Sequence, residues 1–196
     1  MCKNMPPLEL AIQFHGHICP GLLIGVRAAE LAQKQLGVGQ DNDEELVAVV
    51  ENDNCSVDAI QAILGCTFGK GNLVFKDYGK NAWTVISRNA GRAVRIAQKF
   101  GSTAGPASDR FRELAGKPNL TQDEAAEKEA LIGELFERIM SMPAEEIFTW
   151  QEVSAVPPER ARIRKTVRCD LCGEGVMETR TSIRDGQTLC PECQLK

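Results

Sequence analysis

The sequence has no hydrophobic run able to span a membrane: its longest uninterrupted aliphatic stretch is Leu46 to Val50, whereas a spanning helix needs about 20 apolar residues. The opening Met1-Cys2-Lys3-Asn4-Met5-Pro6-Pro7 lacks the apolar centre of an export signal. Both absences point to a cytoplasmic protein with no membrane association. Positive charge is not in surplus either. With 27 acidic and 23 basic residues the net charge is −4, which excludes a whole-protein electrostatic grip on nucleic acid. There is no internal repeat and no low-complexity tract. At 196 residues the chain is too short for two full-sized domains, yet long enough for one with a small appendage. Histidine is scarce, with only His15 and His17, and both lie within four positions of Cys19.

A composition of 43% hydrophobic and 26% charged residues is that of a soluble globular protein. Cysteine is plentiful at eight residues, and without an export signal thiolate chemistry is a better reading than a disulfide scaffold. Four of the eight fall within the last 28 residues.

From Pro20 the segment GLLIGVRAAELAQKQLG sets Leu22, Val26, Ala29 and Leu36 at helical spacing and stops at Gly37. Its small residues, Gly25, Ala28, Ala29 and Ala32, permit a close neighbour, although they are also ordinary helix formers. The polar loop Gln40-Asp41-Asn42-Asp43 leads to Leu46–Val50, a run without alternation that suits a strand covered on both faces. A second helix is expected from Cys55 and Ser56 to Gly65. Leu73-Val74-Phe75, Trp83 to Ser87 and Ala93 to Ile96, separated by turn residues, read as antiparallel strands. Thr121 and Glu124 have capping-box spacing ahead of a long helix with the stripe Leu131, Ile132, Leu135, Phe136, Ile139 and Met140, ended by Pro143. Helices and strands are partly segregated, so the fold class is α+β, with helices packed on a mainly antiparallel sheet. The consecutive prolines Pro157 and Pro158 mark a boundary. The expected organisation is a core domain over 1–153, a linker over 154–165 and a small domain over 166–196. Residues 1–153 carry −6 and residues 154–196 carry +2, with Arg160, Arg162, Arg164, Lys165 and Arg168 clustered.

Cys169-x2-Cys172 and Cys190-x2-Cys193, 17 residues apart, have the spacing of a four-thiolate structural zinc site. Two redox disulfides or incidental cysteines are the alternatives. So short a segment has little core of its own, and its folding should depend on the metal. Protein contact is the favoured role for this module. Nucleic-acid contact through the basic linker is the lesser one, because a run of charge is usually a solvated face.

In Phe14-His15-Gly16-His17-Ile18-Cys19-Pro20-Gly21 the two imidazoles and the thiol alternate, so an extended segment would put all three on one side. Cys19 and Cys55 each precede a helix, where free amides and the positive dipole end favour a thiolate. Cys66 follows Gly65 at a helix end, where the dipole opposes one. Zinc suits imidazole and thiolate ligands, with Asp53 or Asp58 available either to hold a ligating side chain or to supply an oxygen itself. The plain alternative is that these cysteines are small buried residues and the histidines cap a turn. Gly65-Cys66-Thr67-Phe68-Gly69-Lys70-Gly71-Asn72 only approximates a phosphate loop: its first glycine stands one position too close, and Gly71 replaces the metal-binding Ser or Thr. A tight turn is the default there.

The segments Phe14-His15-Gly16-His17-x-Cys19-Pro20-Gly21-Leu22, Cys55-Ser56-Val57-Asp58-Ala59-Ile60-Gln61, and Gly65-Cys66-Thr67-x-Gly69-Lys70-Gly71-Asn72-Leu73 with Tyr78-Gly79-Lys80 resemble the formylmethanofuran dehydrogenase FmdE family over most of residues 8–150. The C-terminal module resembles the treble-clef zinc finger that some members carry. The resemblance implies an α+β core, often an intertwined homodimer, with a metal-associated pocket around the first two motifs. By that carry-over His17, Cys19 and Cys55 are the core ligands, His15 is next and Cys66 last. The family name derives from a molybdenum or tungsten enzyme that reduces carbon dioxide onto methanofuran, and members occur outside that setting. The cofactors expected are Zn2+ in the finger and a second divalent metal, zinc by ligand chemistry, in the core. Three functions remain open: an accessory or metal-handling component linked to molybdenum or tungsten enzymes, a metal-dependent enzyme with an open His/Cys site, and a zinc-finger regulator sensing metal or ligand through its core.

Overall fold

The computed structural model describes residues 5–41 and 43–196. Met1 to Asn4, Cys2 among them, and Asn42 of the polar loop lie outside the described residues. The chain forms two compact units, Met1–Arg160 and Ala161–Lys196. Residues 154–160, read as linker from the prolines, fall with the first unit, where Arg88 Nη2 donates to the Pro158 carbonyl at 2.8 Å. No described helix is long and apolar enough to cross a membrane.

The first unit is α+β. Its helices are α1 (Pro7–His15), α2 (Pro20–Leu36), α3 (Ser56–Leu64), α4 (Pro106–Ala115), α5 (Gln122–Ser141) and the single turn α6 (Ala144–Ile147). Its strands are β1 (Leu46–Val50), β2 (Leu73–Phe75), β3 (Ala82–Ser87), β4 (Arg92–Gln98) and β5 (Phe148–Val153), in the sheet order β2-β1-β3-β4-β5. β1, β3, β4 and β5 pair antiparallel. The expectation of antiparallel pairing fails at β2, which lies parallel to β1. The reason is α3: a helix inserted between two neighbouring strands carries the chain back to its starting end, so the second strand runs in the same direction.

Both faces of the sheet are covered, as the unbroken run of β1 implies. Leu46, Ala48, Val50, Trp83, Val85, Val94 and Ile96 join the main core with the helices. Val47, Ile86 and Ala93 form a smaller cluster of their own. Trp83 packs edge-on against Phe148, with ring centres 6.2 Å apart. The capping box of α5 is present, Glu124 N donating to Thr121 Oγ1 at 3.2 Å and Thr121 N to Glu124 Oε2 at 3.0 Å. At its other end the Arg27 guanidinium reaches across from α2 and donates to the carbonyls of Ile139, Met140 and Met142 at 2.6–2.7 Å. It thereby satisfies acceptors that a helix end leaves without partners.

α2 and α3 approach most closely at Gly25. A side-chain carbon there would collide with the Ser56 carbonyl oxygen and lie 2.9 Å from Cβ of Ala59. This contact, which the small-residue pattern left undecided, sets the first turn of α3 against α2. It thereby positions the residues described next.

The second unit has two short hairpins, β6 (Thr166–Arg168) with β7 (Gly175–Met177) and β8 (Ser182–Arg184) with β9 (Gln187–Leu189), followed by the turn α7 (Pro191–Gln194). Its buried cluster is Cys169, Leu189, Cys190 and Cys193, with Val176 packed against it. One leucine and a half-buried valine are far too little apolar surface to hold 36 residues together.

Candidate metal centres

The four C-terminal cysteines come from two turns, one after β6 and one at the start of α7. Their sulfurs lie within 4.8 Å of one another, with Cys172 and Cys190 4.0 Å apart. A tetrahedral zinc with Zn–S bonds of about 2.3 Å places its sulfurs roughly 3.8 Å apart, so the cluster fits a zinc finger. Backbone amides of Cys172 and Cys190 stabilise the Cys169 thiolate and bring its pKa down to about 6. Cys190 N donates to Cys169 Sγ at 3.4 Å. Burial, together with the other three sulfurs, pushes the Cys193 thiol up to about 12. Four crowded sulfurs cannot all ionise against each other without a cation among them, and a metal removes that conflict.

In the core unit His15, His17 and Cys19 bring their ligand atoms within 4.8 Å of one another. They do so by a route other than the expected extended segment. His15 is the last residue of α1, and Gly16, with φ of +90°, ends the helix and turns the chain back. The imidazoles end 4.5 Å apart, centre to centre. Strand alternation is therefore not what gathers the ligands; a helix stop at a glycine does so. The extended reading missed α1, whose signals are Pro7 at a first-turn position, the spacing Leu8, Ile12, His15 and the stop at Gly16.

Cys19 is the N-cap of α2, and its Sγ accepts from Leu22 N at 3.4 Å. It lies 3.8 Å from His15 Nε2; tetrahedral zinc requires roughly 3.6 Å between a sulfur and a nitrogen ligand. Asp58, on α3, takes up the other ring nitrogen of His15, with Nδ1 to Oδ2 at 2.7 Å. An ionised carboxylate can only accept, so Nδ1 donates and the Nε2 lone pair faces the thiol. This carboxylate–imidazole pair fixes the ring orientation. Of the two acids weighed from the sequence, Asp58 takes this place; Asp53 is exposed. His15 and Cys19 are half-buried and His17 is exposed, so solvent reaches an ion held there from one side.

Cys55 stands beside this cluster without being one of its three members. Its Sγ and that of Cys19 are each 4.0 Å from the position a Cβ would take on Gly21. The expected thiolate-favouring environment is reversed there. Burial, and then the adjacent Cys19 thiol, raise the Cys55 pKa, and the residue caps no amide through its side chain. The cause is crowding of two thiols in a half-buried space, which outweighs the helix dipole.

Cys66 is elsewhere. It is fully buried, and burial, with Asp41 nearby, pushes its thiol up to about 12. The glycine-rich turn around it is structural: buried Asn72 donates to Asp41 Oδ2 and the Leu46 carbonyl, both at 3.0 Å, and accepts from Thr67 N. Lys70 is paired with Asp41 at 3.6 Å.

A family model described as FmdE, molybdenum formylmethanofuran dehydrogenase operon, matches residues 14–149. The chain belongs to the FmdE family. A second model, the prokaryotic dksA/traR C4-type zinc finger, matches residues 162–196. Among solved structures the chain is similar to a tungsten formylmethanofuran dehydrogenase FmdE-like protein from Syntrophus aciditrophicus, with 27% identity and a TM-score of 0.66 over 95% of this chain and 89% of that one. It is also 36% identical over 191 residues to a probable S-adenosyl-L-methionine-binding protein from Archaeoglobus fulgidus, covering 93% of this chain. The chain spans 51% of that relative's length. Family, C4 finger and cysteine cluster together support a metal-binding protein. The link to molybdenum and tungsten enzymes comes from the family name.

Proposed function

We propose that this chain is a metal-handling or accessory protein related to molybdenum or tungsten enzymes, carrying a structural zinc in its C-terminal unit and an exchangeable divalent ion, zinc by ligand type, in its core unit. The observation that supports this reading is the pairing of His15 Nε2 with Cys19 Sγ at 3.8 Å while Asp58 holds the opposite ring nitrogen at 2.7 Å. With His17 these supply three protein ligands, and the fourth position falls to Cys55, water or a ligand of the ion. The exposure of His17 suits loading and release, in contrast to the closed four-sulfur site.

The same open position favours a second reading, a metal-dependent enzyme in which the ion activates a bound water or polarises a carbonyl. A carrier releases its ion to an acceptor, whereas an enzyme keeps it through turnover. Homodimerisation belongs to the proposal as well, supported by the exposed Phe75 on edge strand β2 and the exposed Tyr78 that follows it.

Metal analysis of the full chain tests the first reading. Two ions per chain are expected in the parent protein. One is lost to a mild chelator and absent from Cys19→Ser, and the other persists in both conditions. A parent protein that binds one ion, with Cys19→Ser unchanged, refutes the core site.

A further inference from the structure

The core unit has a cleft of about 460 Å³, lined by the residues around the start of β3, the end of β4 with the loop that follows it, and Arg112 in the last turn of α4. Lys80, Arg95, Lys99 and Arg112 line it, and no acidic residue does. In a chain of net charge −4 this is a local reversal of sign.

Arg95 is already committed. Buried Glu51 accepts from its Nε and Nη2 at 2.7 and 2.8 Å. The other three are compensated only in part. The Lys80 side chain forms no hydrogen bond or ion pair among the described residues. Lys99 donates to the Glu145 carbonyl at 2.5 Å, an uncharged acceptor. Arg112 pairs with Asp109 on the surface, where both side chains are about two-thirds exposed (66% and 68%) and the pair is weak. Three positive groups from separate segments thus face one hollow with only partial compensation, from exposed Asp109 and from a Glu51 already engaged by Arg95, an arrangement that a multiply charged anion relieves.

Two further features narrow the ligand. Phe100 lines the same cleft, and its side chain is completely exposed. Such a ring gains by being covered with a flat partner. Asn81 and Gln98, which also line the cleft, belong to a chain of amides. Asn54 donates to Asn81 Oδ1 at 2.7 Å, Asn81 donates to Gln98 Oε1 at 2.8 Å, and Gln98 Nε2 reaches Ser102 and Thr103 only at 3.4 Å. The amides are held in place by each other, and the last donor retains capacity for a ligand.

We propose that this cleft is a nucleotide site, taking a nucleoside di- or triphosphate with its phosphates among Lys80, Lys99 and Arg112 and its base against Phe100. A nucleoside without phosphate leaves the cations uncompensated, and inorganic pyrophosphate leaves the ring in water. The site is independent of the core metal reading, because among the described residues neither histidine and no cysteine lines the cleft.

Calorimetric titration of the full-length, metal-loaded protein at low salt, with ADP, adenosine and pyrophosphate as separate probes, tests it. One ADP per chain is expected, with pyrophosphate weaker and adenosine weaker still. Lys80→Ala and Arg112→Ala should each weaken ADP about tenfold, the loss typical of one charge-assisted contact. Phe100→Ala should weaken ADP and leave pyrophosphate unchanged. All three side chains are exposed, so thermal melts should match the parent protein. Cys19→Ser should leave ADP binding intact, which separates this site from the metal centre. The proposal falls if ADP at about 1 mM gives no binding, if both cation variants bind ADP like the parent, or if adenosine or pyrophosphate binds as tightly as ADP.

Discussion

Replacing Gly25 by alanine adds one methyl group to α2 and tests the link between packing and the core metal centre. A Cβ there meets backbone: besides the Ser56 carbonyl oxygen, the Ser56 Cα lies 2.7 Å away and Ala59 Cβ 2.9 Å. Carbon atoms settle about 3.5–4.0 Å apart, so the start of α3 must retreat by roughly 1 Å. Alanine gains about 1 kcal/mol over glycine in a helix interior, and overpacking a core costs about 1–3 kcal/mol. Because two of the obstructing atoms are main chain and the third is a Cβ, none can rotate away, so the upper end applies, for a net destabilisation of about 2 kcal/mol. The same retreat carries Asp58 away from His15, whose hydrogen bond at 2.7 Å has little slack. Core metal affinity should fall at least about tenfold, as it does when an outer partner of a ligating imidazole is lost. The C-terminal metal should be unaffected. Urea denaturation followed by tryptophan fluorescence measures the first effect, Trp83 being fully buried, and competition with a chromophoric chelator measures the second. A Gly25→Ala protein that is as stable as the parent and holds the core ion equally well would refute the argument.

Further outcomes follow from the same geometry. Asp58→Ala should weaken the core ion by about 10–100-fold with little effect on the urea midpoint, since Asp58 is only partly covered; equal affinities in a metal titration would exclude its role. Stripping the C-terminal metal with a strong chelator should open residues 166–196 to protease while the core unit resists, and a tail that stays resistant after complete removal contradicts metal-dependent folding. For Cys66 the folded pKa is about 12 against an ordinary 9.0, so the folded state holds the thiol proton more tightly. Its contribution is complete below pH 9 and is lost as pH rises towards 12. At about 1.36 kcal/mol per pH unit, roughly 2 kcal/mol should be gone by about pH 10.5. Urea melts of the parent and of Cys66→Ala at both ends of that range should show the steeper alkaline decline only in the parent.

Much of the molecule is legible in local signals. The α5 capping box, the stop of α2 at Gly37, the doubly covered β1 and the spacing of the four C-terminal cysteines each depend on residues close in sequence, where propensity, capping and ligand spacing act directly. That His15, His17 and Cys19 come together was legible for the same reason. Their backbone path was misread, because a period of two and a helix stop at Gly16 can both gather the same side chains, and only the signals of α1 ahead of them separate the two.

What sequence by itself determined, then, is which residue types are available and which short segments are helix, strand or knuckle. Tertiary structure alone decided that β2 runs parallel to β1, that Asp58 rather than Asp53 meets His15, and that Cys55 stands beside Cys19 while Cys66 is sealed in the core. Each of these depends on where α3 lies. Its place is set by contact with Gly25, 31 residues before Ser56 in the chain, and a contact between distant segments leaves no periodicity in either of them.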